Sequence, residues 1–276
     1  MCILLIAWKA DPEYPLIVAA NRDEAYARPT EPARWWPDAP RVLAGRDLKA
    51  GGTWMGVTRN GRFAALTNYW GDAGGRQRSY SHAGSETAPP SRGTLVGDFL
   101  TSDISPGKYR KKITENSSAY EGFNLVFGTP AGLFYCSNRD EDGRSGGRVG
   151  GGTQPLPEGI HGISNALLNT PWPKVTAAKQ SLEEMIAGRR VNTENLFALL
   201  NRSEQKGLQQ TTRLTAEERR KISRASIRVF FPKFGTRAST VLLCRRDGLI
   251  SFEERTYYPP GTSRFDWKVV PDMSSL

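Results

Sequence analysis

The sequence predicts an α+β protein in which antiparallel sheet dominates and a few helices cover the sheet faces. Two observations indicate this class. Pairs of strand-like segments meet at tight turns along the chain, and helical periodicity is confined to a few stretches. The chain opens on an apolar run at 3–8, which is typical of a buried strand. Hairpin signals recur on both sides of each long loop, so we expect residues 1–276 to form one domain.

The strongest local signal is a hairpin whose strands cover 54–58 and 62–68. Its turn contains Asn60 and Gly61, and an Asn-Gly pair favours a type I′ turn because both central residues need positive φ. Two further hairpins are predicted: 123–127 with 133–137, and 240–244 with 249–254.

Three helices are expected between or after these hairpins. An apolar stripe at three-and-four spacing predicts a helix that starts at Pro173 and ends near Gly188. A second helix starts near Asn192, and a third covers 93–100. The second helix turns three leucines inward: Leu196, Leu199 and Leu200. These helices are available to cover the sheets.

The composition is that of a soluble, folded protein with a basic surface. Hydrophobic residues make up 38% and charged residues 24% of the chain, and the formal net charge is +10. The basic residues are dispersed and match no common nucleic-acid-binding module, so we expect no nucleic-acid partner. The run at 3–8 is far shorter than the roughly 20 apolar residues of a membrane helix, and no basic stretch precedes it. We therefore expect no membrane insertion.

The chain has three cysteines, Cys2, Cys136 and Cys244. Their odd number, wide spacing and lack of a CxxC pair argue against a disulfide framework and against a metal cluster. We therefore expect a reducing, cytoplasmic location. Cys136 and Cys244 lie in predicted strands and are expected in the core.

Cys2 is the strongest candidate for catalysis. Removal of Met1 would leave a thiol and a primary amine on one residue, so that the sulfur can attack while the amine accepts its proton. An α-amino group titrates near ~7.7 to 8.0 and needs no histidine to act as a base. Two alternatives stay open: Cys2 is a small buried hydrophobe of the first strand, or it pairs with His82 or His161.

Two glycine-rich stretches, 71–93 and 139–152, are predicted as long loops. Neither contains the spacing of a phosphate-binding loop, and neither is placed between a strand and a helix as a dinucleotide-binding fingerprint requires. Nucleotide binding is therefore not expected.

Six short segments that follow Cys2 in the sequence form a pattern in their order and spacing. They are 19–24, 51–56, 66–68, 91–95, 162–165 with 170–174, and 235–240. The pattern resembles the NRDE family, named for the Asn-Arg-Asp-Glu string at 21–24, and the resemblance covers essentially the whole chain. That family is similar to the cysteine branch of the N-terminal nucleophile hydrolases, which contains bile salt hydrolase and penicillin V acylase. The resemblance implies a four-layer αββα sandwich of two antiparallel sheets.

The resemblance also implies roles for individual residues. Cys2 matches the nucleophile, and Asp23, expected shortly after the second strand, matches the carboxylate that orients the cysteine amine. Asn68, at the end of a hairpin strand, and Asn165 resemble the two asparagines that flank the oxyanion. Three further residues are implied in substrate binding: Asn21, Arg22 and Arg237.

Taken singly, these residues have ordinary structural interpretations. The two asparagines are compatible with turns, Asp23 with a local cap, and Arg22 with a surface ion pair to Glu24. Their joint occurrence with Cys2 favours a site.

Two functions follow from the resemblance. The first is a cysteine amidohydrolase that cleaves linear C–N amide bonds of a small molecule through an acyl-thioester at Cys2, without a metal or other cofactor. The alternative is a non-catalytic protein that binds and traffics haem, or a lipid or acyl-CoA, on the same fold. Its arginines would pair with propionates or phosphates, and a thiol or histidine would meet the haem iron. The motifs specify neither the substrate nor the oligomeric state.

Overall fold

The computed structural model of the protein describes residues 2–71, 89–140, 142, 153–204 and 214–269. Most of the two predicted long loops lies outside this range. The strands, in chain order, are β1 (Ile3–Trp8), β2 (Leu16–Ala25), β3 (Thr30–Trp36), β4 (Ala39–Asp47), β5 (Met55–Thr58), β6 (Phe63–Asn68), β7 (Phe123–Thr129), β8 (Gly132–Ser137), β9 (Gln154–Pro155), β10 (Gly159–Ile163), β11 (Phe230–Phe231), β12 (Phe234–Cys244), β13 (Leu249–Tyr257) and β14 (Pro260–Lys268). The α-helices are α1 (Gly93–Thr101), α2 (Pro106–Asn116), α3 (Pro173–Ala187), α4 (Thr193–Leu200) and α5 (Ala216–Ala225).

The strands form two antiparallel sheets. The first sheet has the order β10-β1-β2-β12-β13-β14, and β11 also pairs with β12. The second sheet runs from β3 to β9 in sequence order. All three predicted hairpins are present, as β5–β6, β7–β8 and β12–β13.

Three apolar cores separate four layers. Side chains of both sheets, including Leu4, Val57 and Val126, pack together in the central core. Helices α3 and α4 cover the outer face of the first sheet, and α1 and α2 cover the outer face of the second. The αββα sandwich is thereby confirmed. Within the described part of the chain, no helix has the length and apolar character needed to cross a membrane.

Strand β1 lies between β2 and β10, and all six of its residues are buried. Leu4 and Ile6 face the second sheet, whereas Ile3 and Leu5 face the helices. Burial on both faces explains why the segment is a continuous apolar run and not an alternating one. The predicted strand at 3–8 is confirmed, and it places Cys2 at the entry to a central strand.

The Asn-Gly hairpin forms, but the predicted type I′ turn is wrong. Gly61 has a φ of 79°, whereas Asn60 does not adopt positive φ. The Thr58 carbonyl accepts from the Gly61 N–H at 2.9 Å, and the Thr58 N–H donates to the Arg62 carbonyl at 2.9 Å. This pairing leaves three residues in the loop, and such a loop needs one left-handed position at its end instead of two in its centre.

A β-bulge interrupts the pairing of β2 with β12. Thr236 lies opposite Asp23 and Ala238 lies opposite Arg22, so Arg237 is an extra residue on β12. Because neighbours on β2 face opposite sides of the sheet, the bulge also turns Thr236 and Ala238 to opposite sides.

The three predicted helices are confirmed as α1, α3 and α4. Gly188 forms the C-cap of α3, and the side chain of Asn192 caps α4 by accepting from the Asn195 N–H at 2.8 Å. Helices α2 and α5 were not predicted, although α5 starts with a capping box between Thr215 and Glu218.

Gly52 lets the chain after β4 approach the start of α1. A Cβ at Gly52 would lie 2.5 Å from the carbonyl carbon of Gly93 and 2.9 Å from the Thr94 nitrogen. The Thr53 N–H donates to the Gly93 carbonyl at 3.2 Å. This backbone contact holds α1 against the second sheet.

We expect Gly52→Ala to lower the free energy of unfolding by about 1 to 3 kcal/mol, because the added methyl group forces two backbone segments apart. Gly107→Ala in α2 is the matched control: its Cβ meets nothing within 4 Å, and we expect stability to stay the same or to rise by up to about 1 kcal/mol. Urea denaturation of both variants measures the difference. Equal stability of Gly52→Ala and the wild type would contradict the close backbone contact.

Candidate active site

Cys2 is held by contacts from two separate parts of the chain, the segment 164–165 and strand β2. Its backbone N–H donates to Asn165 Oδ1 at 3.3 Å, and its carbonyl accepts from Ser164 Oγ at 2.6 Å. The backbone N–H of Asp23 donates to the Cys2 sulfur. The residue keeps part of its surface exposed. The contacts fix Cys2 among polar groups.

Burial raises the pKa of the Cys2 thiol above its ordinary value, and the charge of Asp23 raises it further. The N–H of Asp23 and the charge of Arg22 act in the opposite direction. In this arrangement the nitrogen of Cys2 belongs to a peptide bond and cannot accept a proton. The thiol is therefore protonated at neutral pH and needs a base to become a nucleophile.

The sequence predicted that Asp23 lies shortly after the second strand. In the structure Asp23 lies within β2. The strand continues through the polar string because β12 pairs with it as far as Ala25. Asp23 Oδ1 accepts from Thr236 Oγ1 at 2.6 Å. Its Oδ2 is buried and has no hydrogen-bond partner among the described residues. Burial raises the pKa of this carboxyl, although Lys174 and Thr236 lower it.

The structure brings Asn68 and Asn165 together beside Cys2. Asn68 ends β6, as predicted, and its carbonyl accepts from Asn165 Nδ2 at 2.7 Å. The Asn165 carbonyl in turn accepts from the Trp70 N–H at 2.7 Å. An amide NH₂ has two N–H groups, so the Asn165 side chain retains one donor for a ligand.

Asn21 faces away from Cys2, toward the helix layer. Its Nδ2 donates to the carbonyls of Leu200 and Ile227 at 2.9 and 3.0 Å, and its Oδ1 accepts from Ser239 Oγ at 2.6 Å. These bonds tie β2 and β12 to the end of α4. The predicted substrate contact of Asn21 is untested, and its side chain is fully engaged in the fold.

Arg22 projects toward the second sheet and is buried. Its guanidinium lies 4.2 Å from the ring of Trp54 and 3.7 Å from Glu24 Oε2, with Asp47 Oδ2 at 3.9 Å. The pair with Glu24 therefore exists but does not lie on the surface. Burial lowers the pKa of Arg22, and the charge of Cys2 acts against this.

Arg237 occupies the bulge and binds backbone carbonyls. Its guanidinium donates to the carbonyls of Ala25, at 3.3 Å, and of Arg28. A further N–H reaches the Tyr258 carbonyl at 2.9 Å. These contacts stabilise the exit of β2, and none of them joins Arg237 to Cys2. Its predicted role in substrate binding stays a prediction.

Sequence reasoning missed two buried charged residues near the site. Lys174, in the first turn of α3, donates from Nζ to the Cys2 carbonyl at 3.4 Å. Glu254, in β13, accepts from the Ala33 N–H at 2.7 Å. Lys174 belongs to the segment 170–174 of the family pattern, which was a usable signal. Glu254 follows another glutamate and looks like a surface residue in the sequence.

The histidine alternative gains no contact in the structure. His161 Nε2 lies 2.8 Å from the Pro157 carbonyl, and its Nδ1 lies 3.1 Å from Asn169 Nδ2, so both ring nitrogens are engaged. His82 lies outside the described residues. Cys136 is buried and Cys244 partly buried in strands. In the described ranges, no group of three or more His, Cys, Asp or Glu is placed to hold a metal ion.

Two antiparallel sheets between helical layers, with a cysteine leading into a central strand, form the architecture of the N-terminal nucleophile hydrolases. A solved structure of a cysteine-to-alanine mutant of the conjugated bile acid hydrolase from Clostridium perfringens matches it with a TM-score of 0.53. The match covers 96% of this chain and 92% of that chain at 11% sequence identity. The protein has the fold of this class.

The family follows from sequence comparison. The family model described as Transport and Golgi organisation 2 matches residues 1–259. The Transport and Golgi organization protein 2 homolog of Bos taurus is 35% identical and that of Homo sapiens 33% identical, each alignment covering 96% of both chains. The chain belongs to the Transport and Golgi organisation 2 family, which confirms the resemblance indicated by its motifs.

Glu254 makes the free energy of unfolding depend on pH. The carboxyl is almost completely buried, and burial raises its pKa to about 7 despite the hydrogen bond from Ala33 and the charge of Arg22. The ordinary value is 4.5. As pH rises through this interval, the unfolded chain loses the proton first. The stability provided by the protonated carboxyl is complete below about 4.5 and is lost as pH rises through about 7.

We expect the free energy of unfolding of Glu254→Gln to increase relative to that of the wild type by on the order of 3 kcal/mol between pH 4.5 and pH 8. The amide keeps an acceptor for Ala33 but does not titrate. Urea denaturation at several pH values measures the difference, with the exposed Glu183→Gln in α3 as control. A pH-independent difference for Glu254→Gln would show that Glu254 does not titrate in this range.

Proposed function

We propose that the protein is a cysteine N-terminal nucleophile amidohydrolase that cleaves linear C–N amide bonds through an acyl-thioester at Cys2. The clustering of Cys2, Asp23 and Asn165 carries this proposal, with Asn165 Oδ1 3.3 Å from the Cys2 nitrogen and the Asp23 N–H on the sulfur. The fold alone does not determine the reaction, because one fold hosts many functions. The residues around Cys2 provide the argument.

Removal of Met1 would turn the Cys2 nitrogen into an α-amine. Asn165 Oδ1 already accepts a hydrogen bond from this nitrogen, and Asp23 Oδ2 is buried without a partner among the described residues. An amine held by Asn165, with the charge of Asp23 close by, is oriented for proton transfer. It also titrates near neutrality and supplies the base that the protonated thiol needs.

Acylation then proceeds in balanced steps. The α-amine of Cys2 takes the thiol proton while the sulfur attacks the carbonyl carbon of the amide, and the carbonyl oxygen becomes an oxyanion. The remaining N–H of Asn165 and the amide of Asn68 are the donors for this oxyanion. When the C–N bond breaks, the leaving nitrogen takes the proton from the α-ammonium, and the acyl group stays on sulfur as a thioester.

Deacylation repeats the sequence with water. The α-amine takes a proton from water as the water oxygen attacks the thioester carbon. The tetrahedral intermediate collapses, the C–S bond breaks, and the thiolate recovers the proton from the α-ammonium. A carboxylic acid leaves, and Cys2 is regenerated.

We expect purified protein to have lost Met1 and to react with iodoacetamide first at Cys2. Intact mass and peptide mapping measure both, and Cys136→Ala and Cys244→Ala should leave the labelling unchanged. A library of N-acyl amides then tests turnover. Cys2→Ala should reduce turnover to background, since it removes the attacking atom.

The matched control is Cys2→Ser, which keeps the α-amine and replaces sulfur with oxygen. Retained Met1 in the wild type, or labelling of Cys2 no faster than that of Cys136 and Cys244, would rule out the proposed mechanism. Turnover that survives in Cys2→Ala would place the reaction at another residue.

A second function, the binding and trafficking of an amphipathic anion such as haem or acyl-CoA, is favoured by one observation. An open cavity of about 200 Å³ combines three aromatic residues, Trp70, Phe231 and Phe234, with two exposed arginines. These are Arg219 and Arg220, in α5. Aromatic walls suit an apolar body, and guanidinium groups suit carboxylates or phosphates. The described residues that line this cavity include no cysteine or histidine, so the arginines and the aromatic walls, and not an iron ligand, support this interpretation.

Titration of the protein with haemin, followed by absorption spectroscopy, tests this second function. We expect stoichiometric binding that is weakened about tenfold or more by reversing the charge of Arg219 and Arg220 to Glu, because each loses an anion contact. The control is the same charge change at the exposed Lys108 and Lys111 in α2. Equal affinity of both double variants would exclude the arginine-lined cavity as the binding site.

A further inference from the structure

Lys174 is a buried lysine in a position that does not favour a lysine. The residue is 1% exposed, and it lies in the first turn of α3 directly after Pro173. Burial disfavours the ammonium form, and the positive end of the helix dipole disfavours it again. Within the described ranges no carboxylate lies within ion-pair distance of its Nζ. Stability of α3 therefore does not explain why a lysine occupies this position.

The surroundings of Lys174 are those of the candidate site. Its Nζ donates to the Cys2 carbonyl at 3.4 Å. Burial lowers the pKa of Lys174, whereas the charges of Asp23 and Cys2 both act to raise it. Ser164 donates to the same Cys2 carbonyl. Lys174 thus contacts the residue whose amine and thiol would react.

The other charged groups around this cluster come from neighbouring elements. Arg22, on β2, acts on both Cys2 and Asp23, and Arg92, before α1, interacts with Cys2 while pairing with Glu121 at 3.2 Å. From α5, Arg224 lies 5.0 Å from the ring of Trp172, which caps α3. Among these groups, Lys174 is the cation that contacts the backbone of Cys2 itself.

The balance of charge at the Cys2 nitrogen depends on Asp23 and Lys174 together. A buried carboxylate beside an amine stabilises the ammonium form, by about 1 to 3 pKa units for a close pair. An amine that stays protonated cannot accept the thiol proton. A second cation near the same carboxylate opposes this effect, because it offsets part of the negative charge and repels a proton on the amine.

We propose that Lys174 is a positioning residue that holds the Cys2 carbonyl and offsets the charge of Asp23, so that the N-terminal amine enters the reaction unprotonated. The inference rests on the proposed function, since it requires a mature N-terminal amine. It assigns a role to the segment at 170–174, which the predicted site did not use. The same cation also favours the thiolate of Cys2, so both effects lower the pH at which Cys2 becomes reactive.

The test is the pH profile of Cys2 alkylation by iodoacetamide in the mature protein. We expect Lys174→Met to move the midpoint upward by about one unit, which corresponds to about a tenfold slower reaction below the midpoint, because amine and thiol both lose a neighbouring positive charge. Lys174→Arg should restore the wild-type midpoint. The partly exposed Lys179→Met in α3, which removes the same charge from the same helix, should leave the profile unchanged.

Asp23→Asn provides the opposite change and a nearly isosteric side chain. Offsetting charges require its midpoint to move downward, and the double variant with Lys174→Met should return close to the wild type. Thermal denaturation identifies variants that do not fold. If Lys174→Met does not fold, the shift in Lys174→Gln decides.

Two outcomes separate this inference from the proposed function. A wild type that retains Met1, or whose Cys2 does not label preferentially, overturns both. If the wild type has lost Met1 and has a reactive Cys2, the proposed function stands. The inference alone is then overturned when the midpoint is unchanged in Lys174→Met or is raised in Asp23→Asn.

Discussion

One buried amide joins the two sheets at the candidate site. Asn165 accepts from the N–H of Cys2, which directly precedes β1 of the first sheet, and donates to the carbonyl of Asn68, which ends a strand of the second. The two sheets pack against each other through the central core, and each packs against its helices through an outer core. The distance between Cys2 and Asn68 is therefore set by the packing of the whole sandwich and not by a local loop.

The NRDE string is not one functional unit in three dimensions. Side chains alternate along β2, so Asn21 fastens the helix layer, Arg22 enters the space between the sheets, and Asp23 returns to the side of α3. The string is compact in sequence because a strand needs only neighbouring residues to supply both faces. Its members therefore serve different layers of the molecule, and Asp23 is the one that contacts the cysteine.

Features that depend on sequence neighbours were predictable, and features that depend on distant packing were not. The apolar run of β1 and the stripe of α3 determine their own conformations, and the family pattern indicated Cys2, Asp23, Asn68 and Asn165. Lys174 and Glu254 resemble surface residues in the sequence, because their burial is produced by elements far away in the chain. The extent of β2 also escaped prediction, since the partner strand β12 extends it through polar residues.

The bulge at Arg237 shifts the register of β12 against β2 by one residue. On one side of it, residues up to Cys244 are in register with the apolar part of β2, and on the other side Thr236 is in register with Asp23. The extra residue lets one strand satisfy two unrelated registers, one for the core and one for the site. In an unbroken register Arg237, and not Thr236, would lie opposite Asp23. The bulge, a feature of the backbone, therefore decides which side chain of β12 meets the Asp23 carboxylate.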